Sequence, residues 1–71
     1  MFNYNKLKGR IVELGYGISD IANLLGISRT SIYERLNGNI PFKDYEIYKI
    51  CKFLDIKEVD IEQYFFNLKV R

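Results

Sequence analysis

The sequence predicts an all-α fold: five short helices around one core, with the second and third paired across a tight turn at its centre. Three observations carry that expectation. Apolar residues recur at three- and four-residue spacings in successive stretches, the period of one helix face. No stretch alternates long enough to argue a strand. Helix-ending residues separate the stretches: Gly15, Gly26, the pair Asn37-Gly38, and the loop around Pro41.

The elements follow in order. Asn3 or Asn5 caps a first helix running to about Leu14, with Leu7, Ile11 and Leu14 as its stripe and Tyr4 one turn earlier. Gly15 ends it, and Lys6, Lys8 and Arg10 lie on or near its solvent side. Gly17 opens the second helix as a weak N-cap, with Asp20 near the positive end of the dipole. Its face is Ile18, Ile21, Ala22 and Leu25; Gly26 stops it, and Ile27 points back to the core. Ser28 caps the third helix, which carries Ile32 and Leu36 inward and leaves Arg29, Thr30, Tyr33 and Glu34 outward.

Asn39 to Phe42 form an extended loop, since Pro41 disfavours helix at Ile40. A fourth helix starts at Lys43 or Asp44 and runs to about Leu54, with Ile47, Ile50, Cys51 and Leu54 inward. With Lys43 as N-cap, Phe42 and Ile47 hold the positions of a hydrophobic staple. Asp60 with Gln63 resembles a capping box for a fifth helix of about two turns to Asn67, striped by Ile61, Tyr64, Phe65 and Leu68.

Composition bounds the class. Seventy-one residues predict a single domain, 1–71, whose modest core favours oligomerisation. Hydrophobic residues make up 48% and charged residues 28%, a globular rather than disordered balance. No apolar run approaches a membrane span and the N-terminus has no signal-peptide core, so a cytoplasmic protein is expected. The lone Cys51 excludes an internal disulfide and a cysteine-based zinc site. The absence of histidine removes the other common zinc ligand and any Ser-His or Cys-His nucleophile pair. The carboxylates lie among Lys and Arg on helices, as solvated faces do. No enzyme activity, cofactor, metal or small-molecule ligand is therefore expected. Charge is uneven: residues 1–43 carry six Lys or Arg against three acids, whereas residues 44–71 carry five against six. The basic half contains the central helix pair.

The spacing of that pair suits major-groove reading. Ala22, Gly26 and Ile32 sit at positions 5, 9 and 15 of the twenty residues from Ile18 to Asn37. A small residue lets the two helices cross closely, the glycine makes the turn, and the isoleucine locks the second helix down. The first turn of that helix then projects from the body and fits a major groove.

The run GISRTSIYERLNGNIPF, followed by one helix and then another ending in YFF, resembles the Cro/C1-type (XRE) helix-turn-helix family. It is similar in particular to small phage-encoded repressor-like proteins of Gram-positive hosts, and the resemblance covers Leu7 to about Phe66. It implies a five-helix, lambda-repressor-like DNA-binding domain whose dimer binds a pseudo-palindromic double-stranded operator. By position, Arg29, Thr30 and Glu34 fall where that family reads base edges, with Tyr33 adjacent; Asn37 and Lys43 fall where its loop touches phosphates. Ser28, Ser31, Lys6 and Arg10 complete the expected backbone contacts, and Phe66 is the expected homodimer contact, near Val70. Family members often open the second helix with Thr-Gln; Gly17-Ile18 stand there, leaving backbone N–H groups for that contact. The chain ends after the fifth helix, which resembles a Cro-type protein more than a larger phage repressor.

The expected function is transcriptional regulation, with a repressor role implied by the resemblance. The alternatives are a phage-encoded inhibitor that reuses the fold to bind a protein, and an architectural DNA binder without sequence preference. An inhibitor need not keep a basic, polar-tipped third helix, and this chain has one.

Overall fold

A computed structural model describes residues 2–68. It contains α1 (Asn5–Glu13), α2 (Ile18–Leu25), α3 (Arg29–Leu36), α4 (Asp44–Phe53), a 3-10 turn (Glu58–Asp60) and α5 (Ile61–Phe65). Among the described residues there is no strand, only an antiparallel bridge between Phe2 and Leu68. Among them, too, no helix is long and apolar enough to cross a membrane.

The first four helices end in the same way. A residue within two positions of each helix's last residue takes positive φ: Gly15 (83°), Gly26 (69°), Gly38 (82°) and Asp55 (53°). The N–H that follows reaches back to a carbonyl five residues earlier, as in Tyr16 to Ile11 (3.0 Å) and Ile27 to Ala22 (3.1 Å). Asn39 donates likewise to Glu34 and Ile56 to Cys51, both at 2.9 Å. Carbonyls that would be orphaned at a helix end are satisfied there.

Each helix contributes part of its predicted stripe to one core, with Ile18, Ile47, Ile61 and Tyr64 half-buried at its edge. Leu7 and Ile11 come from α1, Ile21, Ala22 and Leu25 from α2, Ile32 and Leu36 from α3. Ile50 and Cys51 close it from α4, Leu54 from the C-cap of that helix, and Phe65 from α5. Burial pushes the Cys51 thiol up, which suits a core residue. Phe42, at the mouth of α4, sits edge-on to both Tyr4 (5.3 Å) and Phe65 (5.4 Å), tying the two ends of the chain to the middle.

The chain ends depart from the expectation. Leu14 is 40% exposed rather than buried, because α1 stops at Glu13 and the turn at Gly15 swings it off the stripe. Asp60 makes no side-chain cap, because it lies in the 3-10 turn with helical dihedrals (φ −101°, ψ −3°) rather than the extended ones a cap needs. Accordingly α5 has five residues, not two turns to Asn67. Leu68 is 65% exposed, since the chain has left the helix to pair with the N-terminus: Asn3 N–H donates to the Asn67 carbonyl at 2.6 Å.

Candidate nucleic-acid interface

Three residues, Gly26 to Ser28, separate α2 from α3. Ser28 has the extended backbone of an N-cap, and its hydroxyl accepts from the Ser31 N–H at 3.1 Å. The same hydroxyl donates to Ser31 Oγ at 3.0 Å. Both serines are thus engaged with each other at the tip of α3, Ser28 exposed and Ser31 half-buried. At about 100° per residue, Ile32, Arg35 and Leu36 occupy one side of α3, while Arg29, Thr30, Tyr33 and Glu34 occupy the other. Arg29 and Thr30 are exposed, Tyr33 is 46% exposed and Glu34 is half-buried. Among the described residues Arg29 has no ion-pair partner.

Behind that face stands a pair that sequence reasoning missed. Arg35 is buried, and its guanidinium grips the buried Glu46 carboxylate with two bonds, Nε to Oε1 at 2.9 Å and Nη2 to Oε2 at 3.1 Å. Its Nη1 also donates to the Ser31 carbonyl at 3.1 Å. Glu46 Oε1 accepts in addition from the Lys43 N–H at 2.9 Å, at the start of α4. Desolvation pushes the Glu46 carboxyl up, but the bonds from Arg35 and from the Lys43 N–H outweigh it and hold it below the usual carboxylate range. The network welds the C-terminal half of α3 to the N-terminus of α4. Eleven residues separate the partners, so no local pattern announces them.

The cations of α1 divide between two flanks. Lys8 lines an apolar cleft of about 310 Å³ with Tyr33 and Asn37, beside the outward face of α3. Lys6 and Arg10, expected at the same face, lie on the opposite flank. Lys6 Nζ sits over the Tyr64 ring of α5 at 5.3 Å, and Arg10 donates to the Leu54 carbonyl (3.1 Å) and to Glu13 (2.9 Å). The reason is angular: Lys6 and Arg10 stand within about 40° of each other round the helix, with Lys8 roughly opposite. Of the three α1 cations, Lys8 is therefore the one that stands beside the outward face of α3. Asn37 and Lys43, both exposed, bracket the loop that follows α3. At the start of α2, Asp20 Oδ2 accepts from the Gly17 N–H at 2.8 Å, setting a carboxylate where an anion would approach that helix.

Phe66 is 45% exposed and stacks edge-on against Phe2 at 5.5 Å, away from Tyr45 and Tyr48. It lines a shallow groove with Val59 and Leu68, both largely exposed, rimmed by Glu62, Gln63 and Asn67. Val70 lies outside the described residues.

Residues 1–68 match a family described as protein of unknown function, DUF739. No curated protein matches the chain.

Proposed function

The chain belongs to the DUF739 family, and we propose that it is a sequence-specific double-stranded DNA-binding transcriptional regulator of the Cro/C1 type. One observation carries the reading: α3 is clamped on one side by Ile32, Leu36 and the Arg35–Glu46 pair, and bears Arg29, Thr30, Tyr33 and Glu34 on the other. A rigid helix with a free polar face and a projecting first turn is what entry into a major groove requires. Arg29 suits a bidentate bond to guanine, Thr30 a thymine methyl, and Glu34 a cytosine amino group. Lys8, Asn37, Lys43 and the capped tip of α3 at Ser28 and Ser31 suit the flanking phosphates. The reading includes no catalytic step. A homodimer through the patch around Phe66 would give two copies of α3 and hence a pseudo-palindromic operator.

The test is selection of binding sites from random duplex DNA, followed by titration of the selected site with wild type and two variants. Arg29→Ala is expected to cost about 1–3 kcal/mol and relax preference at one base pair. Lys43→Ala is expected to weaken all sequences alike and lower the salt slope by about one per protomer. Failure to enrich any site would reduce the reading to an architectural binder. Affinity for duplex that stays flat from 50 to 200 mM salt would remove the DNA role altogether.

A further inference from the structure

The outer face of α4 takes no part in the proposed DNA contact, and its chemistry is distinct. At about 100° per residue, Tyr45, Tyr48, Lys49 and Lys52 fall within an arc of roughly 100° that contains no acid. Tyr45 and Tyr48 are 50% and 64% exposed, an unusual amount of aromatic surface on two successive turns. Lysine ammonium groups lie over both rings: Lys49 over Tyr45 at 5.9 Å, Lys52 over Tyr48 at 5.5 Å. On the α2 side this ridge falls into a wide, shallow groove of about 390 Å³, lined by Leu24, Tyr48, Phe53 and the two lysines. Phe53, half-buried, packs against the Tyr16 ring, ring centres 4.4 Å apart. The acids of α4 do not face the ridge: Glu46 is buried against Arg35, and Asp44 lies at the edge of the arc. Glu58 borders a different groove, on the far side of Tyr48.

We propose that this α2–α4 groove docks an acidic amphipathic helix from a protein partner. Apolar anchors of such a helix would cover Leu24, Phe53 and the Tyr48 ring, while its Asp or Glu residues would meet Lys49 and Lys52 at the rim. Charge complementarity selects an anionic partner, and the apolar floor selects protein over nucleic acid. A phosphate backbone would neutralise the lysines and leave Leu24 and Phe53 without an apolar partner. The proposal does not depend on the DNA reading: neither Lys49 nor Lys52 belongs to the face around α3, and Lys43, which also lies over the Tyr45 ring at 5.9 Å, is not among the docking residues.

The experiment titrates the isotope-labelled full chain with two synthetic helical peptides. They share the same Leu and Phe anchors; one carries Glu and the other Lys on the flanking positions. The acidic peptide is expected to shift the amides of Leu24, Tyr48, Lys49, Lys52 and Phe53, and to bind at least about tenfold tighter than the basic one at low salt. The Lys49→Glu, Lys52→Glu double variant should reverse that preference with its helical content intact, since both positions are exposed. Equal binding of the two peptides, or shifts centred on α3, would overturn the proposal. Two further results would do the same. A random-sequence duplex that moves the α4 amides more than the acidic peptide does would make the surface a nucleic-acid contact. Peptide-free, concentration-dependent shifts abolished in the double variant would make it a contact between copies of this chain.

Discussion

Glu46 is fully buried, and it holds its charge only because three N–H donors, two from Arg35 and one from the Lys43 backbone, converge on its two oxygens. Removing one partner of such a pair strands the other in a low-dielectric site, at a cost of roughly 3–5 kcal/mol. Glu46→Gln is therefore expected to lower the urea midpoint sharply, whereas Arg35→Met with Glu46→Leu, which removes both charges, should recover most of the loss. The pH dependence follows from the sign of the shift. The native carboxyl is held below its unfolded value, so the stabilisation is complete above the ordinary carboxylate range. It is lost as pH falls through that range and on through the lowered native value. Urea midpoints of wild type between pH 7 and pH 2 should fall accordingly, and those of Glu46→Gln should fall less. Equal acid sensitivity of the two proteins would mean that other carboxylates govern acid unfolding.

At the level of elements, the four matching helix ends make a direct comparison possible. Three use glycine at positive φ and the fourth uses Asp55, which pays the Cβ strain of that conformation. Asp55→Gly should raise stability by roughly 0.5–1 kcal/mol, net of the extra freedom glycine gives the unfolded chain. Gly26→Ala should lower it by about 1 kcal/mol through φ alone, since an added Cβ at Gly26 meets no atom within 4 Å. Chemical denaturation with an unchanged m-value checks both, and a stabilised Gly26→Ala protein would refute the strain argument. These same glycines explain why the central helices were legible. Gly15, Gly26 and Gly38 mark their ends wherever tertiary contacts fall, and the Ile21, Ala22, Leu25 and Ile32, Leu36 stripes then have one way to face. The α5 segment was not legible in that way. Its end is set by pairing between Asn3 and Asn67, and no periodicity within residues 60–68 encodes a partner from the other terminus. The placement of the α1 cations was hidden for a related reason. Their spacing puts Lys8 across from Lys6 and Arg10, but which flank meets Tyr33 depends on where α3 packs. Arg35, one of the six cations counted over residues 1–43, is neutralised inside by a partner that spacing could not reveal.

For the whole molecule the question is reach. On the proposed DNA reading, one α3 would touch only a few base pairs, too few to select a site in a genome, and symmetric pairs would overcome this by reading half-sites about 34 Å apart. The protein measures 31 × 25 × 22 Å, so two copies in contact can span that distance on one face of a duplex. The surface suited to the contact is where the two chain ends meet. Phe2 and Phe66 form an edge-to-face pair, with Val59 81% and Leu68 65% exposed beside Phe66. An apolar patch with a polar rim of Glu62, Gln63 and Asn67, on so small a body, is the ordinary form of a self-association surface. Sedimentation at micromolar concentration is expected to detect a dimer, or a monomer that operator DNA drives to dimer. Phe66→Glu should weaken operator binding with helical content nearly unchanged, because the ring faces outward and Phe65, not Phe66, fills the core. Loss of Phe66 also frees Phe2, so Phe2→Ala should weaken the dimer by a smaller step in the same direction. A dimer that survives Phe66→Glu would move the interface to another face. A monomer that holds a single half-site at full affinity would end the dimer proposal, and the operator would then have no reason to be palindromic.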